Sequence, residues 1–146
     1  MDRTGDGIDR RHAMHTSYSE RHVKTLVVDD SPTMRRILAN SLQRIGISDC
    51  VHAEDGVDAL AKFDSTIELV ISDWNMPRMS GIDFVRQLRA RPDGMTVPVL
   101  MVTTRGVSED VVAAMQAGAN QYIVKPFTPQ VLKEKIDAVV ARPAAA

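Results

Sequence analysis

Asp29 and Asp30 end an apolar run, Lys24–Val28, and Asp73 ends a second, Glu68–Ser72. A carboxylate pair and a single carboxylate, each just past a short strand of buried type, meet at one edge of a parallel sheet. Oxygen ligands held close together repel one another and attract a hard divalent cation. Mg²⁺ suits such a place, taking one or two carboxylates, several waters and a phosphate. The residues after two further runs extend the set: Thr103 and Thr104 after Val97–Val102, and Lys125 then Pro126 after Tyr122–Val124. Carboxylates, a hydroxyl and an ammonium on one edge suit phosphoryl transfer, which needs an in-line nucleophile and compensation for charge on the equatorial oxygens. An Asp carboxylate is a competent nucleophile and gives an aspartyl-phosphate. The hydroxyl and the lysine can take the other oxygens.

Each residue also has a plainer reading. Asp29 and Asp30 could cap the helix that Ser31-Pro32 opens. Asp73 could start the turn at Met76-Pro77. Thr103 could be an ordinary β-branched strand residue, Tyr122 a half-buried sheet aromatic and Trp74 a rim aromatic. Lys125 could be a surface lysine, but it directly follows an apolar strand and its turn is set by Pro126. The capping and turn readings treat each acid separately, whereas a metal and phosphoryl site explains all of them together.

The elements that position these residues alternate between two periods, the pattern of repeated βα units. Short apolar runs predict strands over Lys24–Val28, Cys50–Ala53, Leu69–Ser72, Val97–Val102 and Tyr122–Val124. Between and after them, helical spacing places Met34, Ile37, Leu38, Leu42 and Ile45 on one stripe and Val57, Leu60 and Ala61 on a second. Phe84, Val85 and Leu88 form a third stripe, and a last helix from Pro129 carries Val131, Leu132, Ile136, Val139 and Val140. Ser31 and Ser108 read as N-caps, and Gly46 and Gly118 as helix stops. The Met76–Gly81 stretch is a turn-rich loop in which Met76 and Met79 are expected to be exposed.

The 146 residues fit one domain, with a tail over 1–22, a folded unit over 23–141 and a frayed end over 142–146. Composition is ordinary for a globular chain, at 44% hydrophobic and 25% charged. A net charge of −1 gives no field toward nucleic acid or a membrane surface. The single cysteine, Cys50, excludes an internal disulfide and reads as a small core residue. No run reaches the roughly 18 apolar residues of a membrane span. The N-terminal stretch has no apolar core of a secretory signal, so a cytoplasmic protein is expected. Three of the four histidines, His12, His15 and His22, lie in the tail without a spacing that fixes a metal geometry.

The stretches Leu26–Asp30, Met34–Ile37, Ala53–Ala59, Ile71–Pro77, Leu100–Thr104 and Tyr122–Phe127, taken in that order, resemble the receiver domains of two-component response regulators. Within that family the chain is similar to the single-domain chemotaxis regulators. The likeness covers about Val23 to Ala141. It implies an α/β doubly wound, flavodoxin-like fold: a five-stranded parallel sheet in the order 2-1-3-4-5, flanked by five helices. The order comes from the resemblance and not from periodicity.

The resemblance also implies roles. Asp73 is the phosphoacceptor. Asp29, Asp30, Asp73 and the backbone carbonyl of Asn75 hold Mg²⁺. Thr103 bonds the phosphoryl group, and Lys125 pairs with the acids or the phosphate across a cis Lys125–Pro126 bond. Thr103 and Tyr122 form the switch, and Asn75 with Arg105 tunes hydrolysis. Thr104 is bulkier than the small residue common at its position, and Ser31 stands where chemotaxis regulators carry an aromatic. The implied donor is a histidine kinase, and the implied output is a protein such as a flagellar motor switch component, met through helix four, strand five and helix five. A dedicated phosphatase is a further partner class. No nucleic acid or membrane partner and a monomeric state are expected. A phosphate sink or a regulator outside motility is the alternative. A phosphatase working through an aspartyl-phosphate would need an acid where Asn75 stands, and a flavin or nucleotide carrier would need a Gly-rich loop after strand one.

Overall fold

The structure, a computed structural model, describes residues 22–140. Residues 1–21, with His12 and His15, and residues 141–146 lie outside the described part, and so do the tail and frayed end expected there.

Five strands, β1 (Lys24–Val28), β2 (Asp49–Ala53), β3 (Leu69–Ser72), β4 (Val99–Thr103) and β5 (Gln121–Val124), alternate with five helices. The helices are α1 (Pro32–Arg44), α2 (Gly56–Lys62), α3 (Gly81–Arg89), α4 (Ser108–Ala117) and α5 (Pro129–Val139). The strands pair parallel in the order β2-β1-β3-β4-β5. This is the doubly wound order that the resemblance implied. Val28 lies opposite both Ala53 and Ser72, and Thr103 opposite Val124. The strands therefore end together, and the residues just past them share one edge, with the crevice at the β1–β3 switch point.

Two apolar layers cover the sheet. Leu26, Val28, Val70 and Met101 pack with Phe84, Val85 and Leu88 on one face. Val27, Leu69, Ile71 and Leu100 pack with Leu38, Leu42, Leu132 and Ile136 on the other. Successive strand residues point to opposite faces, and both faces are covered. That is why Leu69–Ser72 is uniformly buried and shows no polar alternation.

Helix phase differs from the sequence expectation in several places. Ile37 is 45% exposed and Val57 44%, and Ala61 is also exposed. In α2 the buried positions are Gly56 and Ala59, and Asp55 caps the helix, its side chain accepting the Asp58 N–H. Leu60 packs partly buried against the core, and Met79 lies on Gly56. Ser108 is not a cap: Val107 holds that position without a side-chain bond, and Ser108 is the first helical residue of α4. Met76 and Met79 are half-buried against the core, and among the described residues the exposed methionines are Met95 and Met115. Ser31, in contrast, caps α1 as expected, bonding the Met34 N–H at 3.1 Å with Pro32 at the first helical position. Gly46 and Gly118 end α1 and α4 with φ of 99° and 120°. Cys50 is half-buried in β2, where burial, aided by the Asp49 charge, pushes its thiol up to about 11. Among the described residues no helix is long and apolar enough to cross a membrane.

Candidate functional site

The ends of β1 and β3 bring Asp29, Asp30 and Asp73 together: one carboxylate oxygen from each lies within 4.8 Å of the others. Two backbone bonds extend the sheet just far enough to hold them. The Asp29 N–H donates to the Ala53 carbonyl at 3.1 Å, and the Asp73 N–H donates to the Val28 carbonyl at 2.9 Å. Asp29 is 2% exposed, Asp30 is open to solvent and Asp73 lies between them.

Lys125, the first residue past β5, reaches across β4 into this cluster. Its Nζ is 3.2 Å from Asp29 Oδ2 and 3.3 Å from Asp73 Oδ2. The Lys125–Pro126 peptide is cis. The other Asp73 oxygen accepts the Trp74 N–H at 2.6 Å, and Asp29 Oδ1 accepts the Ser31 N–H at 2.9 Å. Both strand-end carboxylates are thus oriented by short local bonds, while the Asp30 side chain has no such bond among the described residues and faces solvent.

Thr103 ends β4 at the same edge, fully buried, and its Oγ1 accepts the Arg105 N–H at 3.3 Å. Tyr122 is half-buried, and its hydroxyl donates to the Arg105 carbonyl at 2.7 Å. Burial, then the Asp110 charge, pushes its phenol up, with Arg105 opposing. The Arg105 guanidinium meets Asn75 Oδ1 through Nε at 3.2 Å and Nη2 at 3.1 Å, and Asp110 Oδ2 through Nη1 at 3.4 Å. It also covers the Trp74 ring, 4.6 Å from the centroid. Trp74 is 9% exposed, so it is a covered side chain and not a rim aromatic.

Two residues that pattern reading passed over shape this place. A Cβ on Gly81 would sit 1.9 Å from the Asp73 carbonyl oxygen, so only glycine lets α3 begin against the end of β3. Its N–H closes the loop base onto the Trp74 carbonyl at 2.8 Å. Arg78 holds the buried Asp55 from the loop, with Nε 2.6 Å from Oδ2. The glycine after Ser80 was a visible signal; the Arg78–Asp55 pairing, 23 residues apart, had none.

The donor set fits a magnesium ion. It is all oxygen, with three carboxylates gathered within 4.8 Å of one another and the Lys125 ammonium against two of them.

Comparison with known proteins agrees with this geometry. Residues 25–137 match the family model of the response regulator receiver domain. The chain is 51% identical over 120 residues to chemotaxis protein CheY1 of Helicobacter pylori (strain J99), covering 81% of this chain and 97% of that one. It is 50% identical over 120 residues to a chemotaxis protein CheY homolog of Campylobacter jejuni, covering 81% and 92%. Among solved structures, the chemotaxis protein CheY4 of Vibrio cholerae superposes with a TM-score of 0.75 at 36% identity, covering 81% of this chain and 98% of that one. The chain belongs to the response regulator receiver domain family, and CheY chemotaxis proteins are among its relatives at about 50% identity.

Proposed function

We propose that this chain is a phosphorylation switch in chemotaxis, with a switching unit over residues 23–141. A histidine kinase presents a phosphohistidine, and an Asp73 carboxylate oxygen attacks its phosphorus in line. A P–O bond forms as the P–N bond breaks, and the histidine nitrogen leaves with the electron pair. The single observation that carries this reading is Lys125 Nζ seated between Asp29 and Asp73, 3.2 and 3.3 Å from their oxygens, beside the three-acid cluster. A lysine so held neutralises charge on an incoming phosphoryl group without displacing the nucleophile.

Asp29, Asp30, Asp73 and the Asn75 carbonyl would hold Mg²⁺, which supplies charge neutralisation for the phosphoryl oxygens. Thr103 donates its hydroxyl to the phosphoryl group once transferred. The same hydroxyl oxygen accepts the Arg105 N–H, and the Arg105 carbonyl accepts the Tyr122 hydroxyl, so a shift of Thr103 toward the phosphoryl group pulls on both. That chain of bonds supports Thr103 and Tyr122 as the switch pair. The response reaches α4, β5 and α5, where Val107, Val112, Val124 and Val131 are exposed apolar side chains. A motor switch protein is the output partner, and a phosphatase can shorten the signal. The protein works as a monomer in the cytoplasm.

The test is Asp73→Asn with acetyl phosphate and Mg²⁺. Wild type takes up the phosphoryl group and the variant does not. Equal labelling of both proteins overturns the assignment.

A further inference from the structure

We infer that Arg78 is a positioning residue for the metal-binding side of this site, acting through the loop that carries Asn75. The inference rests on the Mg²⁺ reading above. Arg78 has φ 66°, in the left-handed region that a long side chain rarely occupies. The turn around it is tight: the Met79 N–H donates to the Pro77 carbonyl at 2.7 Å, a bond across a single residue. A backbone held this way persists only where surrounding contacts over-determine it.

Those contacts are present, and they all lead to one place. Arg78 Nε and Nη2 reach Asp55 Oδ2 at 2.6 and 2.5 Å, and Asp55 is 2% exposed. The other Asp55 oxygen caps α2 through the Asp58 N–H at 2.8 Å. The Asp55 carboxylate therefore serves the helix with one oxygen and the loop with the other. Beside it, Met79 lies on Gly56 so closely that a Cβ there would be 2.7 Å from Met79 Cγ. The β2 strand that leads to Asp55 is the one whose Ala53 carbonyl fixes the Asp29 N–H. The same few residues at the β2–α2 junction thus anchor a carboxylate of the cluster and the loop bearing its carbonyl ligand. Asn75 lies three residues from Arg78, within a loop closed at its base by Gly81 on Trp74. Without the fork to Asp55 the strained turn relaxes, and the Asn75 carbonyl loses its fixed direction.

Charge and position make opposite demands here, which makes the idea testable. Removing a cation from the neighbourhood of an acidic cluster strengthens its hold on Mg²⁺. Removing a positioning residue weakens it, by about tenfold or more for groups that orient metal ligands. Arg78→Asn keeps a residue that tolerates positive φ and deletes the fork. Asp55→Asn keeps an oxygen for the α2 cap and deletes the ion pair. Magnesium titration by calorimetry, with thermal melts in EDTA, is run on wild type, both variants and Arg86→Gln, an exposed surface control. The expected result is about tenfold weaker Mg²⁺ binding in both Arg78→Asn and Asp55→Asn, below their melting transitions, with the control unchanged. Variants that melt lower but bind Mg²⁺ as wild type does, or more tightly, overturn the inference and leave the proposed function standing. A wild-type protein that binds no Mg²⁺ overturns both.

Discussion

The Arg105 guanidinium lies over the Trp74 ring, 4.6 Å from its centroid, and so roofs the residue next to Asp73, the proposed acceptor. The same group holds the Asn75 side chain and pairs with Asp110 of α4. Arg105→Ala removes that roof. Trp74 emission then shifts to the red as the ring meets water, and stability falls by only about 1 kcal/mol, the scale of an exposed cation–π contact. The phosphorylated protein also loses its phosphoryl group faster, because water gains a path past Asn75. Emission and lifetime identical to wild type would sink this reading of Arg105.

Lys125 balances two carboxylates that are 2% and 12% exposed as side chains. Lys125→Met leaves them facing one another without a cation, at a cost of about 3 kcal/mol in EDTA. Magnesium then returns more stability to the variant than to wild type, since ligand linkage grows with affinity for the folded state. Urea denaturation of both proteins with EDTA and with Mg²⁺ measures the difference. Equal gains from Mg²⁺ in the two proteins count against the lysine as the cluster's counter-charge.

Asp55 gives the acid limb a definite sign. Burial works against its charge, but the Asp58 N–H and the Arg78 guanidinium outweigh it and hold the carboxyl below the usual range. A depressed carboxyl contributes stability that is fully present above the unfolded value near about 3.9. That contribution is lost as pH falls through the lower folded value. Wild type therefore loses more stability than Arg78→Asn does as pH falls below about 3.9. Parallel acid limbs in urea melts of the two proteins are the contrary outcome.

Gly81→Ala places a methyl where the Asp73 carbonyl oxygen already lies. The backbone has to yield, at roughly 1–3 kcal/mol, because the obstacle is main chain and not a movable side chain. Since the obstacle belongs to Asp73 itself, phosphoryl uptake slows together with the loss of stability. Stopped-flow Trp74 quenching with acetyl phosphate, beside a urea melt, reads both. Destabilisation with an unchanged uptake rate would separate Gly81 from the acceptor's position.

The strand ends were legible because a parallel strand buried on both faces has to be an apolar run, and a polar residue after it marks the edge. Asp29, Asp73, Thr103 and Lys125 each follow such a run, and the structure gathers them at one edge. Helix phase was less legible. Val57 and Ile37 fit an apolar stripe by spacing, yet both are exposed. Which face meets the core is settled by packing against other elements: in α2 Gly56 sits under Met79 and Ala59 is buried.

What the order of residues determined alone is the inventory of groups at the sheet edge, because one residue follows another along a strand whatever the rest of the chain does. The pairing of Asp55 with Arg78 and the spread of Arg105 contacts over Asn75, Trp74, Tyr122 and Asp110 were decided only by the packed fold. Most of these contacts join residues 17 to 31 positions apart, and side chains of exposed type carry no periodicity that could announce their partners. Burial of one carboxylate, the left-handed turn at Arg78 and the depth of Trp74 beneath a guanidinium exist only once helices and sheet have closed on each other.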